Sequence, residues 1–408
     1  MRLLFGLLIT LSVLARGEYR PSLSPFHRER VNGTLPPCIQ HAPSAGGLSP
    51  IWRTTVFNPA IAVQNVGDMS YCCGGVLLFA AANSALGLNG STGAVLWNRT
   101  YPAAATPRKK SPGFWNDELA LYTLASGHVV ALNAQTGATM WEFRGASSGW
   151  LSKPKVSPPL GLVLTASTTR FFGLDARTGA VRWNVSVSCD GGCSTMGLSR
   201  DGLTVYQIAG RQLLALDARD GATQWSTALP ALSLASRPAA PTECPFAHSR
   251  AHGESIDDST LVVYLPTPLG ASMAAFDKRT GAHRWKIVVP TANATNQGNA
   301  PFDTPAAYGR TFVDYDNWLF AFRCEDGLVE WNWTIAGQAN VGTSTLFPIA
   351  ERLVFGADDN SLYVLTTGNG AQVARQALLG DPWSDPVVLA GGQIFIGDES
   401  GTVYSYCV

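Results

Sequence analysis

Short apolar runs rich in Val, Leu, Phe and Tyr, such as 261–264 and 403–406, recur along the chain. Their length is typical of β-strands, and no long amphipathic helical pattern lies between them. One unit returns seven times. It consists of an apolar pair, then usually an Asp or Asn, then a small turn that ends in Gly, and a Trp four residues after that Gly. Ala374 replaces the Trp in the degenerate seventh copy, and the turn glycines are Gly93, Gly137, Gly179, Gly221, Gly281, Gly327 and Gly370.

The distance between these glycines predicts the architecture. Neighbouring glycines lie 42 to 46 residues apart, except for an interval of 60 residues between Gly221 and Gly281. A repeat of roughly 40–50 residues built from short strands is typical of a four-stranded propeller blade. We therefore expect an all-β fold, a β-propeller of four-stranded blades, with an insertion at about 230–258 in the longest interval.

Each unit predicts a hairpin followed by a packing residue. In the copy at 174–183, Asp175 can accept hydrogen bonds from backbone amides ahead of it, and Gly179 can take the left-handed conformation that ends the turn. Trp183 then lies on the following strand, where its apolar face can pack against the next blade. Its indole N–H needs an acceptor, so we expect a backbone carbonyl beside it.

The two ends of the repeat region predict how the ring closes. Residues 51–53 resemble a Trp-bearing outer strand without its preceding strands, whereas 393–396 and 402–406 resemble inner strands without an outer one. Pairing of these segments would complete a last blade and remove a free sheet edge. This predicts eight blades, with seven as the fallback if the degenerate copy forms none. The predicted blade tryptophans are Trp52, Trp97, Trp141, Trp183, Trp225, Trp285 and Trp331.

Leu-Asp-Ala-Arg-Thr-Gly followed by Trp at 174–183 resembles the pyrroloquinoline-quinone (PQQ) repeat. Quinoprotein alcohol dehydrogenases share that repeat with the bacterial outer-membrane assembly lipoprotein of propeller fold. The resemblance covers residues 48–408 and implies the fold of that family. It does not by itself imply an activity, because the repeat is a packing device found in enzymes and in other proteins.

The adjacent residues Cys72 and Cys73 point to the enzyme branch of this family. The resemblance implies a disulfide between them beside a PQQ cofactor, with calcium near the central axis. Here, however, the pair runs directly into Gly74-Gly75, the predicted turn between the first two strands of a blade, without the dehydrogenases' intervening Asn-Arg-Gly stretch. We therefore favour a non-catalytic binding or assembly module, with a PQQ- and calcium-dependent oxidoreductase as the alternative.

Acidic residues collect in the predicted turns between the second and third strands of the last three blades. The corresponding turns of the earlier blades contain no carboxylates. Such a sector could bind calcium, a basic peptide or a polyamine, although Asp also favours tight turns whatever it binds. The candidate residues are Asp314, Asp316, Asp358, Asp359, Asp398 and Glu399.

The N-terminal residues predict export. Residues 1–17 contain Arg2, an apolar run and small residues, as in a secretory signal, and 18–47 form a short segment before the propeller. The apolar run is shorter than the ~20 residues of a spanning helix, so we expect a secreted or secretory-pathway protein without a membrane span after signal removal. Because 29 Lys and Arg balance 29 Asp and Glu, nothing indicates a nucleic-acid partner.

Glycosylation acceptors and cysteines agree with this compartment. Six Asn residues precede Ser or Thr by two positions: Asn32, Asn89, Asn98, Asn184, Asn293 and Asn332. Eight cysteines fit an oxidising environment. Besides Cys72 and Cys73, three pairs are hypotheses: Cys189 with Cys193 around a small loop, Cys38 with Cys407 across the ring closure, and Cys244 with Cys324.

Tryptophans outside the repeat offer a third function, extracellular carbohydrate binding. Aromatic platforms stack on sugars, although buried packing is the commoner fate of Trp. These residues are Trp115, Trp150, Trp318, Trp333 and Trp383. The insertion also contains Cys244, His248 and His252, but the adjacent Pro245 argues against a helical metal site. We expect a protein or glycan partner on one propeller face.

Overall fold

The computed structural model describes only part of the chain, and the following statements concern that part. It comprises residues 38, 48–56, 66–108, 112–145, 151–167, 169–187, 196–199, 201–209, 212–229, 260–267, 270–288, 305–307, 309–315, 317–335, 341, 346–349, 351–389 and 392–407. These residues form antiparallel strands and two short 3-10 helices, Ala103–Ala105 and Pro158–Leu160. The all-β prediction is confirmed.

The first four blades follow one another along the chain, each with its innermost strand first. The first contains β2 (Val66–Cys72), β3 (Val76–Ala81), β4 (Ser84–Asn89) and β5 (Val95–Thr100). The second contains β6 (Gly113–Trp115), β7 (Leu119–Thr123), β8 (His128–Asn133) and β9 (Thr139–Arg144). The third contains β10 (Lys155–Ser157), β11 (Leu162–Ala166), β12 (Arg170–Asp175) and β13 (Val181–Ser186). The fourth contains β14 (Gly197–Leu198), β15 (Thr204–Ala209), β16 (Gln212–Asp217) and β17 (Thr223–Ala228).

The next three blades repeat this order. Within the described residues the fifth has three strands, β18 (Thr260–Thr267), β19 (Gly270–Asp277) and β20 (His283–Val288). The sixth contains β21 (Ala306–Ala307), β22 (Arg310–Tyr315), β23 (Trp318–Arg323) and β24 (Val329–Thr334). The seventh contains β25 (Phe347–Ile349), β26 (Arg352–Ala357), β27 (Ser361–Thr366) and β28 (Gln372–Ala377). Thus the degenerate copy does form a blade.

The eighth blade combines both ends of the repeat region. It contains β29 (Val387–Val388), β30 (Gln393–Gly397), β31 (Thr402–Cys407) and, as its outer strand, β1 (Ser49–Thr55). In this pairing Trp52 lies opposite Ser405, and Ser49 lies opposite Cys407. A disulfide joins Cys38 to Cys407 at the same place. The predicted eight-bladed ring with terminal strand closure is confirmed, and the seven-bladed fallback is not needed.

The core lies between blades. Strand β3 is buried along its whole length, because both faces of a blade are covered by its neighbours. The outer strand β13 instead alternates between exposed and half-buried residues. One apolar cluster, for example, joins Val76 and Leu78 of the first blade to Tyr122 of the second.

Each repeat Trp connects its blade to the next one. The indole Nε1 of Trp97 donates to the backbone oxygen of Ala134 at 2.7 Å, and its ring covers Gly137 in the same turn. A Cβ on Gly137 would lie 2.8 Å from that ring, so the position accepts no side chain without movement. The same pair of contacts joins Trp52 to Gly93, Trp141 to Gly179, Trp183 to Gly221, Trp225 to Gly281, Trp285 to Gly327 and Trp331 to Gly370. The predicted packing and carbonyl partner are both confirmed.

Candidate functional site

Antiparallel order places the loops on two faces of the ring. Turns between the first and second strands and between the third and fourth strands of a blade lie on one face, the repeat-turn face. Turns between the second and third strands, together with the connections between blades, lie on the other, the connection face. The Cys72–Cys73 turn therefore lies on the repeat-turn face, and the turns with Asp358, Asp359, Asp398 and Glu399 lie on the connection face.

The carboxylates of the repeat turns hold the turns themselves together. Asp277 Oδ1 accepts hydrogen bonds from the backbone amides of Arg279 and Thr280, and its Oδ2 forms an ion pair with Arg284 at 2.8 Å. The hydrogen bond from Arg284, followed by those from Thr280, lowers the pKa of Asp277 to about 2. Asp175 has equivalent bonds, and the hydrogen bond from Arg182 is the main cause of its lowered pKa. These ionised residues stabilise hairpins and are unsuited to proton transfer near neutral pH.

Cys72 and Cys73 form a disulfide at the end of β2. The predicted turn is confirmed: the backbone N–H of Gly75 donates to the carbonyl of Cys72 at 3.0 Å. Only 7% of Cys72 and 2% of Cys73 is exposed, because both pack with Val76, Tyr122 and other residues of the first interblade core. Gln135 of the second blade donates its side-chain amide to the carbonyl of Cys73. The pair thus belongs to the interface between two blades.

Asp398 is buried in the turn between β30 and β31 and organises the surrounding loops. Its Oδ1 accepts hydrogen bonds from Ser400 and from the backbone of Thr402, while its Oδ2 accepts them from the Tyr404 hydroxyl at 2.6 Å and the Gly380 amide at 3.0 Å. Burial, followed by the bond to Asp398, raises the pKa of Tyr404 above its ordinary value. Asp398 therefore joins its own turn to the connection that precedes the blade.

Asp359 has a similar role in the seventh blade. Its Oδ2 accepts a hydrogen bond from the Tyr363 hydroxyl at 2.7 Å and forms an ion pair with Arg375 at 2.7 Å. The guanidinium of Arg375 also lies over the Tyr363 ring, 5.5 Å from its centroid. Burial and the bond to Asp359 raise the pKa of Tyr363. This carboxylate is thus directed towards its own blade.

The other candidate acids differ in burial. Asp314 is buried on β22, Asp358 and Glu399 are half-exposed at their turns, and Asp316 lies outside the described residues. Within the described ranges, no three His, Cys, Asp or Glu residues are grouped so that they could hold a metal ion. The cation site inferred from the sequence stays a prediction.

The connection from β28 to β29, residues 378–386, was not recognised from the sequence as a site. It exposes 44% of Trp383 and 63% of Leu379, and the Trp383 indole Nε1 donates to Asp381 Oδ2 at 3.2 Å. The sequence feature that could have identified this connection is Trp383, a tryptophan outside the repeat. Of the other non-repeat tryptophans, Trp115 is buried, Trp318 and Trp333 are half-buried against aromatic rings, and Trp150 lies outside the described residues.

The remaining predicted residues are the glycosylation acceptors, the other cysteines and the segments outside the propeller repeats. Asn98, Asn184 and Asn332 are exposed on outer strands, and Asn89 is half-exposed in a repeat turn, where its Oδ1 accepts the Ser91 amide. Cys324 is buried. The signal segment 1–17, the insertion 230–258, and the residues Asn32, Asn293, Cys189, Cys193, Cys244, His248 and His252 lie outside the described residues. No helix in the described ranges has the length and apolar character needed to cross a membrane.

One protein-family model matches nearly the whole chain. It is described as outer membrane protein assembly factor BamB, and it matches residues 44–148, 125–308 and 245–407 in overlapping copies. Comparison of the sequence with curated proteins gives no match.

Solved structures of similar fold include both branches of the PQQ-repeat family. BamB from Moraxella catarrhalis is 18% identical, with a TM-score of 0.56 over 88% of this chain and 98% of its own. A quinohemoprotein alcohol dehydrogenase from Pseudomonas putida HK5 is 11% identical, with a TM-score of 0.62 over 89% and 76%. A europium-containing methanol dehydrogenase is 12% identical, with a TM-score of 0.64 over 88% and 93%. At these identities the likeness concerns the fold alone, whereas the family match spans residues 44–407, so the chain belongs to the PQQ-repeat family whose model is described as outer membrane protein assembly factor BamB.

Proposed function

We propose that this protein is a non-catalytic binding or assembly module that presents its connection face to a partner protein. The observation that carries the proposal is that the residues that could do chemistry make contacts within their own chain. Asp359 and Asp398 each bind groups of their own chain, and Cys72 and Cys73 are buried between two blades. The description of the matching family as an assembly factor supports the same role.

The residues present do not fit a PQQ site beside the Cys72–Cys73 disulfide. A planar cofactor stacks on a disulfide only if one side of that disulfide is accessible. Here the side chains are enclosed by Val76, Tyr122 and other core residues, and Gln135 binds the carbonyl of Cys73. A cofactor would have to separate the first two blades to reach the sulfur atoms, and such separation would expose apolar core.

We also propose that the protein acts in an oxidising compartment outside the cytoplasm. Support comes from the signal-like residues 1–17, the pairing of Cys38 with Cys407, and the exposed acceptors Asn98, Asn184 and Asn332 on three outer strands. Glycans at those positions would project away from the blade interfaces and cover strand edges.

The module function predicts capture of a partner and no quinone chemistry. We expect the purified chain to bind no PQQ chromophore in the presence of calcium and to support no dye-linked alcohol oxidation. Cross-linking in its native source before affinity capture should recover a defined partner protein, and heat-unfolded chain provides the control. PQQ-dependent dye reduction that disappears in Cys73→Ser would contradict the proposal.

The disulfide between Cys72 and Cys73 is the one observation that favours the alternative, a PQQ- and calcium-dependent oxidoreductase. The cofactor experiment above separates the two functions. A carbohydrate-binding role would depend on Trp383, the most exposed non-repeat tryptophan in the described ranges, and a glycan array tests it.

A further inference from the structure

Exposed apolar side chains have an uneven distribution over the ring. Eight of the ten large ones in the described residues lie on, or directly before, the outer strands of six blades: Ile51, Val95, Leu96, Met140, Val181, Val288, Leu328 and Val329. The other two, Leu379 and Trp383, share the connection 378–386 on the connection face. Being four residues apart, their Cα atoms are separated by at most about 14 Å.

This connection is held in place by the eighth blade. The amides of Leu379 and Gly380 donate to the Tyr404 hydroxyl and to Asp398 Oδ2, both at 3.0 Å. The Glu399 amide donates to the carbonyl of Asp381 at 2.9 Å, and the Gly397 amide donates to the Ser384 hydroxyl at 2.6 Å. The loop therefore keeps two apolar side chains in water at fixed positions. A partner that binds them would lose little free energy to ordering of the loop.

Acidic residues outnumber basic ones in the loops around the two side chains. The connection and the two turns beside it, 357–360 and 397–401, contain six acidic residues and no Lys or Arg: Asp358, Asp359, Asp381, Asp385, Asp398 and Glu399. Asp358, Asp381, Asp385 and Glu399 are half-exposed. Asp359 forms an ion pair with Arg375 of the outer strand. The field at this surface favours a cationic ligand.

We propose that Leu379, Trp383 and the surrounding acids form a docking surface for a basic segment of a partner protein. An apolar side chain of that segment packs on the Trp383 ring and Leu379, while its Lys or Arg side chains face Asp381, Asp385 and Glu399. Trp is enriched among residues that dominate binding energy, and opposite charges set orientation and association rate. The inference rests on the module function proposed above and names the chemistry of its partner.

A protein segment fits this surface better than a sugar or a membrane. Leu379 offers a sugar no polar contact, and the Trp383 indole N–H already donates to Asp381. The acids would repel an anionic lipid surface. A basic peptide with an apolar anchor satisfies both parts of the surface.

Synthetic peptides provide a defined probe. We would measure binding of the full chain to three fluorescent peptides with identical apolar residues and with Lys, Ser or Glu at the polar positions. The Lys peptide should bind about tenfold more tightly than the Ser peptide, the Glu peptide should not bind, and added salt should reduce the difference. Trp383→Ala should weaken binding of the Lys peptide about tenfold. Met140→Ala removes a similarly exposed side chain, 56% exposed on an outer strand, and should change nothing.

Equal affinity for the Lys and Ser peptides, or unchanged affinity in Trp383→Ala, would overturn the docking surface. So would glycan or anionic-vesicle binding that Trp383→Ala abolishes. The double variant Leu379→Ser, Trp383→Ala, with its fold checked by thermal unfolding, separates this inference from the module function. If it is still cross-linked to the partner that the wild type captures, the surface is wrong and the module remains. If the wild type captures no partner, the module function itself fails.

Discussion

The residue contacts that hold this ring together are short pairs repeated from blade to blade. Trp97 and Gly137 show why both members are needed: the indole donates to a carbonyl of the next turn, and its ring occupies the space above a glycine with a φ of +70°. Because the glycine has both a left-handed backbone and no room for a Cβ, its identity is fixed twice. Positions constrained in this way can be predicted from a sequence, because Gly and Trp then recur at a constant spacing.

Substitution of Gly137 should separate the cost of the left-handed backbone from the cost of the contact with Trp97. Gly137→Ala forces an L-residue into the left-handed region and places a Cβ 2.8 Å from Trp97. The matched control is Gly161→Ala, because Gly161 has a φ of +61° and no atom within 4 Å of its would-be Cβ. We expect the control to lose about 1–2 kcal/mol of unfolding free energy from backbone strain. Gly137→Ala should lose about 1–3 kcal/mol more from overpacking, measured by denaturant titration. Equal losses would show that the Trp97 contact is unimportant.

The repeat-turn carboxylates predict a dependence of stability on pH. The pKa of Asp277 is about 2 in the folded protein, below its ordinary value of 3.8, so its ionisation stabilises the fold above pH 3.8. That contribution falls as the pH drops from 3.8 towards 2. Asp277→Asn should therefore lower the thermal midpoint at pH 7, and the difference from the wild type should shrink at pH 2. A difference that is the same at both pH values would contradict this account.

At the scale of elements, the eighth blade differs from the others because no turn joins its third strand to its fourth. Those strands, β31 and β1, come from opposite ends of the repeat region, so the blade has no repeat glycine. The blade before it has Ala374 where the other blades have Trp, and Ala374 packs in a cluster with Leu48 and Tyr404. A Trp there would have no turn glycine to cover. The seventh blade thus lacks a Trp because the eighth blade lacks the turn that this Trp would cover.

The disulfide between Cys38 and Cys407 replaces the missing connection. It joins residues 369 positions apart, so it restricts the unfolded chain strongly. Cys38→Ser should reduce the unfolding free energy by about 6 kcal/mol in the chain-entropy account. The double variant Cys38→Ser, Cys407→Ser should lose the same amount, since both remove one bond. A clearly larger loss in the double variant would assign Cys407 a packing role of its own.

Prediction from sequence succeeded for the blades and failed for the connection 378–386, for a physical reason. The repeat unit encodes local turns and one nearest-neighbour contact, so its spacing alone specifies the ring. The connection is shaped instead by Asp398 and Tyr404, which come later in the chain and act through the fold. Two acids of the predicted cluster, Asp359 and Asp398, are directed towards the chain because they accept hydrogen bonds from Tyr363 and Tyr404, whereas Asp358 and Glu399 beside them are half-exposed. Nothing in the spacing of acids reveals the direction of a side chain.

For the whole molecule, the two faces of the ring have different roles. The repeat-turn face contains the recurring Asp and Thr residues that hold each turn together and the glycines that the Trp of the preceding blade covers. It also contains the enclosed Cys72–Cys73 turn. The connection face is free of that recurring pattern, and its loops can vary without affecting the Trp–Gly contacts. A partner surface on the connection face can therefore evolve while the scaffold stays intact.

Pairing of β1 with β31 makes the starting point of the ring arbitrary. Ser49 and Cys407 are partners across neighbouring strands, so a few residues suffice to link them covalently. A circularly permuted chain, joined there and opened in a connection between two other blades, would preserve every strand pair while giving the eighth blade an ordinary hairpin. If that hairpin supplied the repeat's glycine, position 374 could accept an indole, and every blade would then have the same hairpin between its third and fourth strands.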